Sequence, residues 1–195
     1  MNITRHPFGE LSSGQSVEEF TIRNSRGMQV SVISYGGIVR EILVPDREDR
    51  PVDLVLGFDS LEGYLGSHPF FGVTVGRVAG RISGGSFVLN GKEYSLELND
   101  PPNHLHGGSS GFDKQLWVGE VESDDTVALG YVSPDGENGY PGNLSVTVRY
   151  RLTEENELII DYTAEPDKAT PCSLTDHCYF NLAGESSGSV EDKEL

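Results

Sequence analysis

Residues 86–98 read SFVLNGKEYSLEL, two runs of alternating apolar and polar residues joined by Asn90-Gly91. An Asn-Gly pair suits the two positive-φ positions of a type I′ turn, so this stretch predicts a tight antiparallel hairpin. The same plan recurs downstream, where LSVTVRYRL (144–152) passes through the turn TEEN into the run ending LIIDYTAE (158–165). Upstream, FTIRN (20–24) turns at SRG into MQVSVISY (28–35). Gly36-Gly37 then leads into IVREILVP (38–45), followed by PVDLVLGF (51–58). Only SLEGYL (60–65) reads as helix, and as a single turn. No segment sustains a 3.6-residue apolar period. Turns this closely spaced predict an all-β sandwich rather than a parallel α/β sheet.

The composition fits one sizeable β domain. The chain has 195 residues, of which 36% are hydrophobic, and its 24 glycines and 10 prolines punctuate short strands. Charges or glycines break every apolar run before it reaches membrane-spanning length. The first twenty residues hold no apolar signal core, which predicts a cytoplasmic protein, and the final DKEL is not an ER-retention order. Fourteen basic against thirty-one acidic residues leave a net charge of −17. That field repels nucleic acid and anionic membrane, and disfavours phosphorylated substrates. Cys172 and Cys178 match no metal-ligand spacing and are expected as free thiols.

Chemistry concentrates in three segments. NDPPNHLHGG (99–108) places His104 and His106 between a proline pair and a glycine pair. On a strand that spacing would put both rings on one face, as a metal pair requires. No cysteine or carboxylate completes the set at an obvious spacing, and no metal is expected. LTDHCYFNLAGE (174–185) places His177 in an aromatic-rich strand or strand end. FGVTVGRVAGRISGG (71–85) sets Arg77 and Arg81 after glycines, where the backbone can approach an oxygen-rich ligand and a guanidinium fork can bind it. The segment lacks the spacing and lysine of a phosphate loop. His6 and His68 sit among turn residues and read as structural.

Taken in order, SYGGIVREILVPD, DLVLGFDSLEGY, FGVTVGRVAGRISGGSFVLNGKEYSL, NHLHGGSSGFDKQLW, SPDGENGYPGNLSVTVRYRL and SLTDHCYFNLAGE resemble the aldose 1-epimerase family from Ser34 onward. The resemblance implies a large antiparallel β-sandwich of the galactose mutarotase-like supersandwich type. It would span 1–195 as one domain, truncated before the family's carboxy-terminal part. It implies interconversion of the α and β anomers of free aldohexoses, such as glucose or galactose, without cofactor or metal. His177 would be the general acid at the ring oxygen, a role suited to imidazole, which titrates near neutrality. His106 would hydrogen-bond the sugar beside it, and Arg81 would bind its hydroxyls. His104 matches no functional position.

The chain also departs from the family pattern. Gly80 stands where an asparagine is common before the arginine, and Asp176 where asparagine precedes the histidine. Because strand neighbours face opposite ways, Asp176 is expected to act little on His177. The family's general base is a glutamate near the carboxy terminus, for which this sequence offers no counterpart. SGSVEDKEL (187–195) reads as an interrupted strand. These features predict self-association, or a second polypeptide supplying the missing half, alongside the free monosaccharide as ligand. Two rival functions remain: a catalytically silent sugar-binding protein, and a hexose-6-phosphate 1-epimerase, against which the net charge weighs.

Overall fold

In a computed structural model, residues 2–191 are described. Five strands form one antiparallel sheet in chain order: β1 (Asn2–Glu10), β2 (Ser16–Arg23), β3 (Gln29–Ile33), β4 (Ile38–Pro45) and β5 (Pro51–Asp53). A single helical turn, α1 (Leu61–Leu65), follows and buries Leu61 and Tyr64, the i and i+3 positions of one face. Two short strands come next, β6 (Thr74–Val75) and β7 (Arg81–Ile82). The hairpin β8 (Ser86–Leu89) and β9 (Lys92–Ser95) closes through Asn90 and Gly91 with φ of 52° and 78°, the left-handed pair that the sequence demands. After β10 (His104–Leu105), a second antiparallel sheet runs β11 (Val118–Val121), β12 (Thr126–Ser133), β13 (Leu144–Leu152) and β14 (Leu158–Pro166). The short β15 (Thr175–Asp176) pairs back on β6.

The two large sheets face each other. Phe20, Ile22, Val30 and Val32 from one pack into a single core with Val127, Leu129, Val146 and Val148 from the other. Strict alternation on β13, with Leu144, Val146, Val148, Tyr150 and Leu152 all buried, produces that inner face. Gly119 on β11 has no side chain because the Phe20 ring occupies the place of its Cβ. At one end the Asn24 amide donates to Thr153 O at 2.9 Å, tying a hairpin turn of each sheet to the other. Each fully buried aliphatic or aromatic side chain here contributes about 1.5–3 kcal/mol.

Three local expectations are corrected. His6 lies within β1, paired with Glu19, rather than in a turn. His104 and His106 do not share a strand face, because the chain leaves β10 after Leu105 and His106 takes φ 51°. Of the tail read as an interrupted strand, residues 187–191 form no strand, and 192–195 lie outside the described residues. Both cysteines are free thiols. Among the described residues no helix is long and apolar enough to cross a membrane.

Candidate active site

Two of the small pairings beside the sandwich build one cluster. Pairing of β15 with β6 sets Thr175 opposite Val75 and Asp176 opposite Thr74. The next residue, His177, continues the ladder by donating its N–H to Val73 O and accepting from Gly72 N–H, each at 3.1 Å. Its main chain is thereby fixed to the segment that follows α1.

Pairing of β10 with β7 sets Leu105 opposite Arg81, and His106 N–H donates to Gly80 O at 3.0 Å. The glycine pair after His106 has a steric reason. A Cβ on Gly107 would collide with the Gly76 carbonyl, and one on Gly76 would collide with the Phe112 ring. The GFDKQLW motif supports this junction from below, since Phe112 and Trp117 are buried edge-to-face with centroids 5.7 Å apart. Trp117 Nε1–H donates to Phe112 O at 3.2 Å.

These ladders bring His106 and His177 together, edge-to-face, with ring centroids 5.2 Å apart. Both are half-buried. Gly80 N–H donates to His106 Nδ1 at 3.1 Å. A main-chain N–H can only donate, so Nδ1 is an acceptor and the proton of the neutral ring sits on Nε2. Burial holds the His106 pKa below the ordinary imidazole value, with His177 and Arg81 adding to the effect and Asp113 and Asp100 opposing it. His106 is therefore a neutral Nε2–H donor at physiological pH. Arg81 is exposed, and its Nε donates to Asp100 Oδ2 at 2.6 Å. No hydrogen bond among the described residues involves its two terminal nitrogens.

The other arginine of the same segment belongs elsewhere. Arg77 is 2% exposed and directs its guanidinium at Ser133 Oγ and O, Pro134 O, Pro141 O and Thr170 Oγ1. It fastens the loop after β12 and is not part of the cluster, so the pairing of Arg77 with Arg81 as ligand forks is corrected. His104 is buried, bonded through Nδ1 to Glu97 O at 2.8 Å and packed against Tyr140, so the two histidines of HLH serve different surroundings. Asp176 precedes His177 on the same ladder. Its Oδ1 accepts Cys178 N–H at 2.9 Å, and burial raises its pKa above the usual carboxylate value, with the charge of His177 acting to lower it.

Residues that sequence reading does not single out complete the cluster. Phe70 lies 4.9 Å from His106 and 5.7 Å from His177, centroid to centroid, and Tyr179 lies 5.3 Å from His177. Asp113 is a buried carboxylate whose Oδ2 accepts Lys114 Nζ at 2.7 Å. Asp100 and Asp113 lie inside the quoted motifs without standing out there, and Phe70 gives no sequence signal, because loops rather than spacing bring them to the histidines. A groove of about 540 Å³ on the outer face of β11–β13, lined by Val118, Val132, Thr147 and Arg149 among others, shares no residue with the cluster. That groove carries its own ion pair, Arg149 with Glu122, whereas the cluster brings together two imidazoles and an arginine whose two terminal nitrogens are unengaged among the described residues.

The aldose 1-epimerase family profile matches residues 18–195. The chain is 49% identical over 195 residues to galactose mutarotase of Homo sapiens, covering 100% of this chain and 56% of that protein. It is 38% identical over 174 residues to aldose 1-epimerase of Escherichia coli, covering 89% and 50% respectively. Galactose 1-epimerase of Lactobacillus acidophilus superposes with a TM-score of 0.82 at 34% identity, over 93% of this chain and 53% of that one. The chain thus spans about half the length of these relatives.

Proposed function

The chain belongs to the aldose 1-epimerase family, and we propose on that premise that the His106–His177–Arg81 cluster binds a free aldohexose and serves its anomer exchange. The observation that carries the reading is a pair of imidazoles 5.2 Å apart beside Arg81, whose charge reaches His106 and whose two terminal nitrogens meet no acceptor among the described residues. In this reading His177 gives a proton to the ring oxygen as the bond from that oxygen to the anomeric carbon breaks. The anomeric hydroxyl gives its proton to solvent water and becomes the carbonyl. Rotation of the aldehyde group and reversal of both transfers close the ring on the other face. His106, held as the Nε2–H tautomer, donates to a sugar oxygen without itself losing a proton. Arg81 holds hydroxyls through NH1 and NH2, a polar fork suited to an oxygen-rich ligand.

Each nearby carboxylate has at least one partner, although Asp113 keeps a buried Oδ1 without one. Asp100 pairs with Arg81, Asp113 with Lys114, and Asp176 with the Cys178 amide. We therefore assign none of them as the acceptor of the anomeric proton. That engagement favours a second reading, in which this chain binds sugar without turning it over. On either reading residues 1–195 act as one sugar-binding unit, and the ligand carries no phosphate, given the net charge of −17.

The test follows α-glucose and α-galactose relaxing to equilibrium by NMR, with and without the chain, while monitoring the His106 and His177 ring resonances for sugar-induced shifts. Faster relaxation together with shifts supports the epimerase reading. Shifts without acceleration support the binder, and neither result refutes both. Equal or better response to glucose 6-phosphate would overturn the choice of a free sugar.

A further inference from the structure

The SHPFFG turn (67–72) carries two consecutive phenylalanines into different surroundings. Phe71 packs at 5.6 Å against Phe58 and at 5.4 Å against Tyr179, centroid to centroid. Phe70 turns the other way, onto the two imidazoles. A left-handed backbone makes that divergence possible, since Phe70 has φ 62°, a region that a bulky side chain enters only under constraint. The constraint comes from both flanks. Phe71 N–H donates to His68 Nδ1 at 3.2 Å, and Gly72 N–H donates to His177 O at 3.1 Å. Gly72 must itself lack a side chain, because its Cβ would collide with the Val39 carbonyl. The ring is further fixed by Lys114, whose Nζ lies 5.8 Å from its centroid. Phe70 is only half-buried and sits at the margin of the smaller core cluster rather than in its centre. Non-glycine residues held in this backbone region cluster at functional sites, where surrounding structure over-determines them.

We propose that Phe70 is a positioning residue of the site: a ring locked by its own turn against His106 and His177, which fixes the edge-to-face pair and keeps water off His106. The proposal rests on the sugar-site reading for its consequence but not for its geometry. Phe70, His106 and His177 are in mutual contact, and Tyr179 packs on His177 as well, so Phe70 is the aromatic neighbour that the two imidazoles share. Burial is the first cause of the lowered His106 pKa, ahead of the charges of His177, Arg81, Asp113 and Asp100. With Lys114 on the Phe70 side, these are the charged and titratable groups around that imidazole.

The experiment compares Phe70→Ala, Phe70→Leu and Phe70→Tyr in the 195-residue chain. Ring resonances of the histidines are followed by NMR across pH, and anomer exchange is measured in parallel. Phe70→Ala is expected to move the His106 midpoint up toward the free-imidazole value of about 6.5. It should also remove ring-current shifts from both histidines, while Phe70→Tyr restores them. If Phe70→Ala fails to fold, Phe70→Leu keeps the bulk without the aromatic ring and should still lose the ring-current shifts. Parent-like His106 midpoints and histidine shifts in both the Leu and Ala variants would overturn the proposal. Altered histidines in a chain that neither binds nor exchanges sugar would uphold Phe70 as the positioning residue and refute the sugar reading instead. Where exchange is measurable, loss of positioning lowers kcat more than it raises KM, by about tenfold or more.

Discussion

Arg77 and Arg81 stand four residues apart in one glycine-rich segment, and exchanging each for methionine separates a fold-holding guanidinium from a ligand-holding one. Arg77 is 2% exposed and donates to three main-chain carbonyls, those of Ser133, Pro134 and Pro141. An unsatisfied buried acceptor costs about 1–3 kcal/mol, so three leave a gross penalty of about 3–9 kcal/mol. Pro134 is near the surface, and water reaching its carbonyl trims the loss toward about 3–5 kcal/mol, the usual cost of removing one partner from a buried charged network. For a chain of this size each kcal/mol lowers the melting temperature by about 2–4 °C, which gives a fall of about 6–20 °C. Arg81 and Asp100 form an exposed pair, 57% and 38% accessible, worth about 0–1 kcal/mol. Arg81→Met should therefore melt within about 4 °C of the parent. The sugar response runs the other way, with Arg81→Met losing affinity and Arg77→Met keeping it below its melting range. Thermal unfolding by circular dichroism, with sugar titration monitored by NMR, reads both. An Arg77→Met chain as stable as the parent, or an Arg81→Met chain with undiminished sugar affinity, would refute the division of labour.

His177→Asn keeps a polar side chain on the same backbone ladder but removes the proton donor, so anomer exchange should fall by about 10²–10⁴-fold with sugar binding retained; polarimetry checks it. His106 has a folded pKa held below its unfolded value, so its contribution to stability is complete above about pH 6.5 and is lost as pH falls through the folded value. Melting temperatures from pH 8 to 5 should show that acid-side loss, and His106→Asn should flatten it. Asp176→Asn keeps an oxygen for the Cys178 N–H while removing a buried charge whose pKa burial raises, so it should leave stability equal or higher at pH 7. Asp176→Ala should cost about 1–3 kcal/mol by denaturant unfolding, because the amide loses its acceptor.

The strands were legible because each carries its own instruction. Asn90-Gly91 and the alternation on β13 both state a local geometry that the rest of the chain only has to accept. His106 and His177 were legible as candidates through motif resemblance, yet nothing in HLHGG or TDHCYF says that two short ladders set their rings 5.2 Å apart. Arg77 and Arg81 mark where local reading fails. Both follow a glycine, both head a small-residue run, and only the path of the loop after β12 decides that one of them meets carbonyls while the other meets Asp100. Phe70 was invisible for a related reason. Its role depends on a left-handed turn whose constraints are His68, Gly72 and the His177 carbonyl, and the last of these lies more than a hundred residues away. Sequence pattern reports what a residue needs from its neighbours in the chain, whereas a site is made of what distant residues need from one another. Functional positions set by long-range packing therefore carry no periodicity to find, and they emerge only when the ladders that connect them are known.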